Sequence, residues 1–292
     1  MSEHYGAQSM VAPLKRVLVK PPAETENEAQ AWREFGYYHP IDLPRVRAEH
    51  AQFVDLLVEA GADVLHVQDP QPAQLDSPFV FDPALVTREG AIICRMGKAL
   101  RRGEEQALAQ TLLALGVPIL ASIHGAGTLE GGDTLWLDEH TLVVGRSYRT
   151  NDEGIRQLRH ALEGIADVIA MPLPHWRGQS DILHLLSLVS PVSGSLAVVY
   201  LPLMPIPLVE LLHARGFELL PIPEQEFKTQ ACNILAVAPK RVIMLKGNPV
   251  TATNLRVRGV EVWEYDGDEI SFNRDGGPTC LTRPLLREWN HR

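Results

Sequence analysis

Apolar and polar residues follow two spacings along this chain, helical and strand-like, and the two take turns. From Leu43 to Ala60, the residues Val46, Phe53, Leu56 and Leu57 fall near one face of a helix, with Asp42 placed as its N-cap. Gly61 stops the pattern, and Ala-Asp-Val-Leu-His-Val follows as a strand. A second helix carries Ala107, Leu108, Leu112 and Leu115, stops at Gly116 and gives way to Val117-Pro118-Ile119-Leu120. A third opens at Asn151, carries Ile155, Leu158 and Leu162, and stops at Gly164 before Val168-Ile169-Ala170. A fourth ends at Gly216 before Phe217–Leu220, and a fifth at Gly259 before Val260–Trp263. The stops at 61, 116, 164, 216 and 259 set a period of about 50 residues, the size of a supersecondary unit.

Each short strand is followed by an apolar hairpin: Phe79–Cys94, Thr134–Val144, Leu185–Val199 and Ile234–Leu245, with a last one cut short at Cys280–Leu285. The N-terminal strand Arg16–Lys20 is placed to supply the missing partner and close a ring. The expectation is one α/β domain over residues 1–292, five ββαβ-type units around an axis, with residues 1–13 as a flexible N-terminal extension. An α/β domain with evenly spaced helices is the alternative. The Pro202–Pro207 stretch reads as the start of a helix, not as a boundary between domains.

The polar residues at the mouths of the hairpins are Asp82, Glu130, His184, Asn233 and Cys280, one per unit, 14 to 21 residues beyond each glycine stop. If the units are related by rotation, these five converge on the axis. The resulting set suits a guanidinium, which is planar, cationic and matched by the paired oxygens of carboxylates. Asp82 and Glu130 would hold it from two sides, Cys280 would attack its central carbon, and His184 would protonate the departing amine. Each residue also has a plainer reading. His184 could be a core histidine satisfied by Asp181 or by backbone, and Glu130 an exposed turn acid. Asp133 braces its turn, Cys94 and Cys232 are small buried hydrophobes, and His160 and His175 lie at the surface. Gly276-Gly277, ahead of Cys280, would let backbone approach a ligand closely. Arg101 and Arg149 either decorate helix starts or clamp a substrate carboxylate.

Composition narrows the partners. A net charge of -9 with no basic run longer than a pair argues against nucleic acid and anionic membranes. No apolar stretch approaches the roughly 20 residues that span a bilayer. The polar Met1–Gln8 segment and three scattered cysteines point to a reducing, cytoplasmic setting.

Six motifs occur together in order: Asp76-Ser77-Pro78-Phe79-Val80-Phe81-Asp82-Pro83, Arg101-Arg102-Gly103-Glu104, Glu130-Gly131-Gly132-Asp133, Arg149-Thr150-Asn151, Leu183-His184-Leu185 and Gly276-Gly277-Pro278-Thr279-Cys280. In this the chain resembles the dimethylarginine dimethylaminohydrolases of the guanidine-modifying (pentein) superfamily, over nearly its whole length. The resemblance implies a fivefold pseudosymmetric α/β-propeller. It implies Cys280 as nucleophile, His184 with Glu130 in the catalytic set, Asp82 and Glu130 on the guanidinium, and Asp76, Arg101 and Arg149 at the amino-acid end, with Phe79 and Phe81 lining the pocket. The substrate would be a small guanidino amino acid, with no metal or organic cofactor, and a homodimer is the assembly left open. One departure is Phe81, where dimethylarginine hydrolases often carry Glu. An amidinotransferase, or a non-catalytic propeller-shaped binding protein, would be built from the same pattern.

Overall fold

A computed structural model of the chain describes residues 4–69, 74–179 and 183–288. The glycine-stopped helices are all present: Leu43–Glu59, Glu104–Ala114, Asp152–Ala161, Ile206–Ala214 and Pro249–Val257. Asp42 caps the first by accepting the Arg45 N–H at 3.1 Å, and Asn151 caps the third by accepting that of Gly154 at 2.8 Å. The five glycines after these helices all have φ between +72° and +88°, the left-handed turn that releases each helix into a strand.

Fifteen strands among the described residues form five three-stranded sheets, each an antiparallel pair plus a parallel strand returning from the helix. One sheet joins β3 (Ala84–Val86), β4 (Ala91–Ile93) and β5 (Ile119–Ser122); the next joins β6 (Thr134–Asp138), β7 (Thr141–Arg146) and β8 (Asp167–Pro172). The third joins β9 (Val189–Ser193), β10 (Leu196–Val199) and β11 (Glu218–Pro221); the fourth joins β12 (Leu235–Ala238), β13 (Arg241–Leu245) and β14 (Glu261–Tyr265). In the fifth, β1 (Leu14–Val19) pairs antiparallel with β15 (Arg283–Arg287) and parallel with β2 (Asp63–His66). The two ends of the chain therefore close the ring, as the sequence predicts.

Burial orders the strands radially. The first strand of each antiparallel pair (β3, β6, β9, β12, β15) is buried over most or all of its length and lies inside, while the third is half exposed at the rim. The middle strands carry continuous apolar runs such as Leu142-Val143-Val144, as strands covered on both faces require. Helices pack outside; Leu43–Glu59, for example, buries Val46, Phe53 and Leu57 in one cluster with Val17, Val19 and Tyr265.

Two local expectations change. The segment preceding β1 is docked from residue 4 onward, not a flexible extension. Gly6 donates to Leu285 O at 2.7 Å and accepts from Arg287 N at 2.9 Å, while Ala7 and Gln8 are buried. The apolar stretch after His184 begins as a 3-10 turn, Leu185–Ser187, before β9, because its first polar contacts are to Asp133 and Ser187 rather than to a neighbouring strand.

Candidate active site

Asp82, Glu130, His184, Asn233 and Cys280 each sit just before an inner strand, two to five residues ahead of β3, β6, β9, β12 and β15. Rotation about the axis therefore brings them to one mouth of the ring. His184 Nε2 lies 2.8 Å from Glu130 Oε2. Asn233 Nδ2 donates to Cys280 Sγ at 3.1 Å. Asp82 Oδ1 accepts the Gly132 N–H at 2.8 Å, which ties the first mouth to the second.

Glycines set the close packing. A β-carbon on Gly132 would stand 2.4 Å from His184 Nδ1, and one on Gly277 would stand 2.5 Å from Asn233 Cγ. Gly277 makes room for Asn233, while Gly276 packs against the Phe79 ring and lines the pocket beside Cys280. Asp133 does brace its surroundings. It accepts from Leu185 N at 3.0 Å and from Ser147 Oγ at 2.6 Å, holding the His184 turn from the neighbouring unit. Burial pushes Asp133 up to about 6 despite the nearby His184 charge and these bonds.

The electrostatics follow from burial and pairing. Burial works against a negative Glu130, but the His184 hydrogen bond and the Arg149, His184 and Arg101 charges outweigh it and hold the carboxyl well below the ordinary range. Burial likewise lowers His184, yet Asp82, Asp133 and Glu130 more than compensate and raise it to about 9. Cys280 is pushed up to about 12, by burial first and then by the Asp82 charge, with the Asn233 bond opposing. At neutral pH the resting pair is a thiol and an imidazolium.

Neither arginine decorates a helix start. Arg101 is buried, with Nη1 on Asp82 Oδ2, Nε and Nη2 on Glu104, and Nη2 also on Phe79 O. Arg149 Nη1 lies 3.3 Å from both oxygens of Glu130. The two acids expected to receive a guanidinium already hold one each from the chain itself. Donor atoms of Asp82, Glu130 and His184 lie within 4.8 Å of one another, a spacing a metal ion would accept. Those atoms already have partners within the chain: Asp82 Oδ2 bonds Arg101, both Glu130 oxygens bond Arg149, and His184 Nε2 bonds Glu130.

Asp76, Phe79, Asp82, Arg101, Arg149, His184 and Cys280 line one inner pocket. It shares His184, Asp275 and Cys280 with an outer cleft of about 260 Å³, walled by Tyr38, Trp176, Phe227 and Phe272. Asp76 is bonded by Tyr37 Oη at 2.8 Å and Lys98 Nζ at 2.6 Å. Sequence reasoning missed Lys98 and the four aromatic walls, which carry no shared motif or spacing.

Two of the expected pocket residues do not line it: Glu130, wholly buried with Oε1 accepting the N–H groups of Gly97 and Lys98, and Phe81. The Phe81 side chain joins the hydrophobic core, and the Arg283 guanidinium lies 3.8 Å from the ring centroid. Phe81 and Asp82 share one turn ahead of β3, yet Phe81 faces the core while Asp82 lines the pocket. Asp181, the alternative partner considered for His184, lies outside the described residues; the partner found is Glu130. Cys94 and Cys232 are buried, and burial raises both thiols. His160 is exposed, and His175 Nδ1 lies 2.6 Å from Tyr148 Oη away from the catalytic set.

Five sheets closed about an axis, with a thiol, an imidazole and two acids at one mouth, define the pentein class of guanidine-modifying enzymes. Residues 15–286 match the family described as N,N dimethylarginine dimethylhydrolase, eukaryotic, and the chain belongs to that family. A Streptomyces coelicolor N(G),N(G)-dimethylarginine dimethylaminohydrolase is 33% identical over 92% of this chain and 96% of its own. The Pseudomonas aeruginosa enzyme of the same name is 28% identical over 92% of this chain and 98% of its own. A solved structure of the Pseudomonas enzyme, a Cys-to-Ser mutant complexed with citrulline, superposes with a TM-score of 0.77 at 26% identity, covering 94% of this chain and 100% of that one. An amidinotransferase from Microseira wollei shares the fold, with a TM-score of 0.79 at 16% identity over 99% of this chain and 98% of that one. The chain is thus a hydrolase of the class that acts on C–N bonds of amidines. No helix among the described residues is long and apolar enough to cross a membrane.

Proposed function

We propose that this enzyme cleaves a C–N bond in the guanidinium group of arginine, a methylated arginine or a related guanidino acid, through a covalent adduct on Cys280. The observation that carries this reading is that both mouth carboxylates, Asp82 and Glu130, are already bonded to guanidinium groups of the chain, beside a nucleophile and an acid. A substrate guanidinium offers the same N–H pattern to Asp82, which lines the inner pocket beside Cys280.

The high resting position of the Cys280 thiol fits a cationic substrate. Binding a guanidinium beside Sγ adds positive charge there and lowers the cost of the thiolate, the thiol's proton leaving to solvent. The thiolate then forms an S–C bond to the central carbon. His184, held protonated, gives its proton to the departing amine as the C–N bond breaks, leaving a thiouronium. Neutral His184 next takes one proton from water as its oxygen adds to the same carbon; the S–C bond breaks, the hydroxyl's remaining proton leaves to the released amine or solvent, and a ureido product and the thiolate result. Asp76 and Arg149 are assigned to the amino-acid end, with the one remaining Nη1 hydrogen of Arg101.

The test is a panel of guanidino compounds assayed for ureido product and released amine or ammonia. Turnover of at least one amino-acid guanidine, lost in Cys280→Ser while binding persists, supports the proposal; turnover retained in that variant removes Cys280 from the chemistry. Adding glycine or ornithine and assaying for an amidinated product separates hydrolysis from transfer to an amine.

A further inference from the structure

The inner strands run away from the catalytic mouth, and farther along them two arginines are buried together. Arg283 and Arg287, three and seven residues past Cys280, are 6% and 2% exposed and line one small cavity of about 20 Å³. Other parts of its wall are Phe81, Trp136, and Ser9 and Met10 of the docked N-terminal segment. Cavities above roughly 10–15 Å³ in this measure hold an occupant the size of a water molecule.

Buried charges are normally paired. Among the described residues no carboxylate bonds either arginine. Arg283 Nη1 donates to the carbonyls of Phe81 and Ala84, and Arg287 Nη1 to those of Ala12 and Ala236. The Nε–H of each is buried with no acceptor at all. Beyond its carbonyl, Phe81 offers Arg283 the face of its ring, and Asp82, which attracts Arg283 through space, is bonded to Arg101. Ser9 Oγ accepts the N–H groups of Val11 and Ala12, so its own hydrogen is left to donate elsewhere. Burial lowers Arg283 to about 10; burial and then the Arg283 charge lower Arg287 to about 9; both stay cationic at neutral pH.

We propose that this axial cavity is a binding site for a small monovalent anion, chloride, held between the guanidinium groups of Arg283 and Arg287. The anion supplies the charge that protein elsewhere draws from a carboxylate. It also fastens the N-terminal segment, because Ser9 and Met10 form part of the same wall while Arg287 bonds Ala12.

The test compares thermal midpoints of the intact chain in sodium chloride and in sodium gluconate at matched ionic strength. Chloride at about a hundredfold excess over its dissociation constant should raise the midpoint by roughly 5 °C and saturate, as linkage to a single site requires, whereas gluconate should not. Phe81→Glu, which places a carboxylate beside Arg283, and Arg287→Met should each abolish the chloride-specific rise. An equal rise in gluconate, or a chloride-specific rise retained in both variants, overturns the proposal. Should the variants fail to fold, crystals of the unaltered protein grown in bromide decide. An anomalous peak touching both guanidinium groups supports the site, and none there overturns it.

Discussion

Asn233 Nδ2 donates to Cys280 Sγ across 3.1 Å, while Asn233 Oδ1 accepts the N–H of Thr279, the residue just before the cysteine. One amide thus fixes both the thiol and the backbone that carries it. The bond also opposes burial in setting the thiol's acidity. Asn233→Ala should therefore raise the thiol further and slow alkylation of Cys280 by a haloacetamidine about tenfold at fixed pH, the size expected for roughly one charge-assisted hydrogen bond. An unchanged alkylation rate would deny the asparagine any part in activating the sulfur.

Gly132→Ala tests how tightly the histidine is placed. The new β-carbon would meet His184 Nδ1 at 2.4 Å and Asp82 Oδ1 at 2.9 Å, closer than non-bonded atoms stand. The ring must move, and its bond to Glu130 goes with it. Overpacking of this kind costs about 1–3 kcal/mol of stability, and displacing a catalytic group by about an ångström costs on the order of a hundredfold in kcat. Denaturant unfolding and steady-state kinetics read the two effects separately; full activity in the variant would show that the histidine tolerates movement.

The acidities of Cys280 and His184 fix a pH profile. The reacting form needs a thiolate and an imidazolium together, with the free-enzyme groups at about 12 and about 9. Below 9 the imidazolium is nearly complete while the thiolate fraction grows tenfold per pH unit. Between 9 and 12 the gain in thiolate is cancelled by loss of imidazolium. Accordingly, kcat/KM should climb with a slope near one through neutral pH and level off near pH 9, whereas kcat, measured with the cationic substrate bound, should be flatter. A kcat/KM that falls from pH 7 to 9 would contradict the assignment.

Much of this was readable in the residues, for a physical reason. A left-handed glycine must follow each helix here, so Gly61, Gly116, Gly164, Gly216 and Gly259 advertise the fivefold repeat, and the polar residue ahead of each inner strand falls into step with it. What stayed hidden depends on which way single side chains turn. Phe81 and Asp82 are neighbours in the sequence, yet one meets Arg283 in the core and the other meets Arg101 in the pocket. Tyr38, Trp176, Phe227 and Phe272 come from four separate segments and meet only through tertiary folding, so no local pattern marks them as one wall. The docking of residues 4–13 was equally invisible, since Gly6 is held by backbone bonds, at a φ of +133° that favours glycine, and not by any side-chain pattern.

Arg149 offers the sharpest test of how the substrate lies. Its Nη1 spans both oxygens of Glu130, and the side chain lines the inner pocket together with Lys98, which is itself bonded to Asp76. If Arg149 receives the substrate's carboxylate, removing its charge should harm substrates that carry one far more than those that do not. Arg149→Met should raise KM for an amino-acid guanidine by about tenfold to a hundredfold, the usual worth of a charged hydrogen bond of 1.5–3 kcal/mol. The same change should affect the decarboxylated amine analogue several-fold less. Equal losses for both would place Arg149 with Glu130 as a positioning residue, because a disturbed carboxylate would handicap every guanidinium alike. The two outcomes are separated by the ratio of KM values alone, so a general loss of stability in the variant leaves the comparison intact.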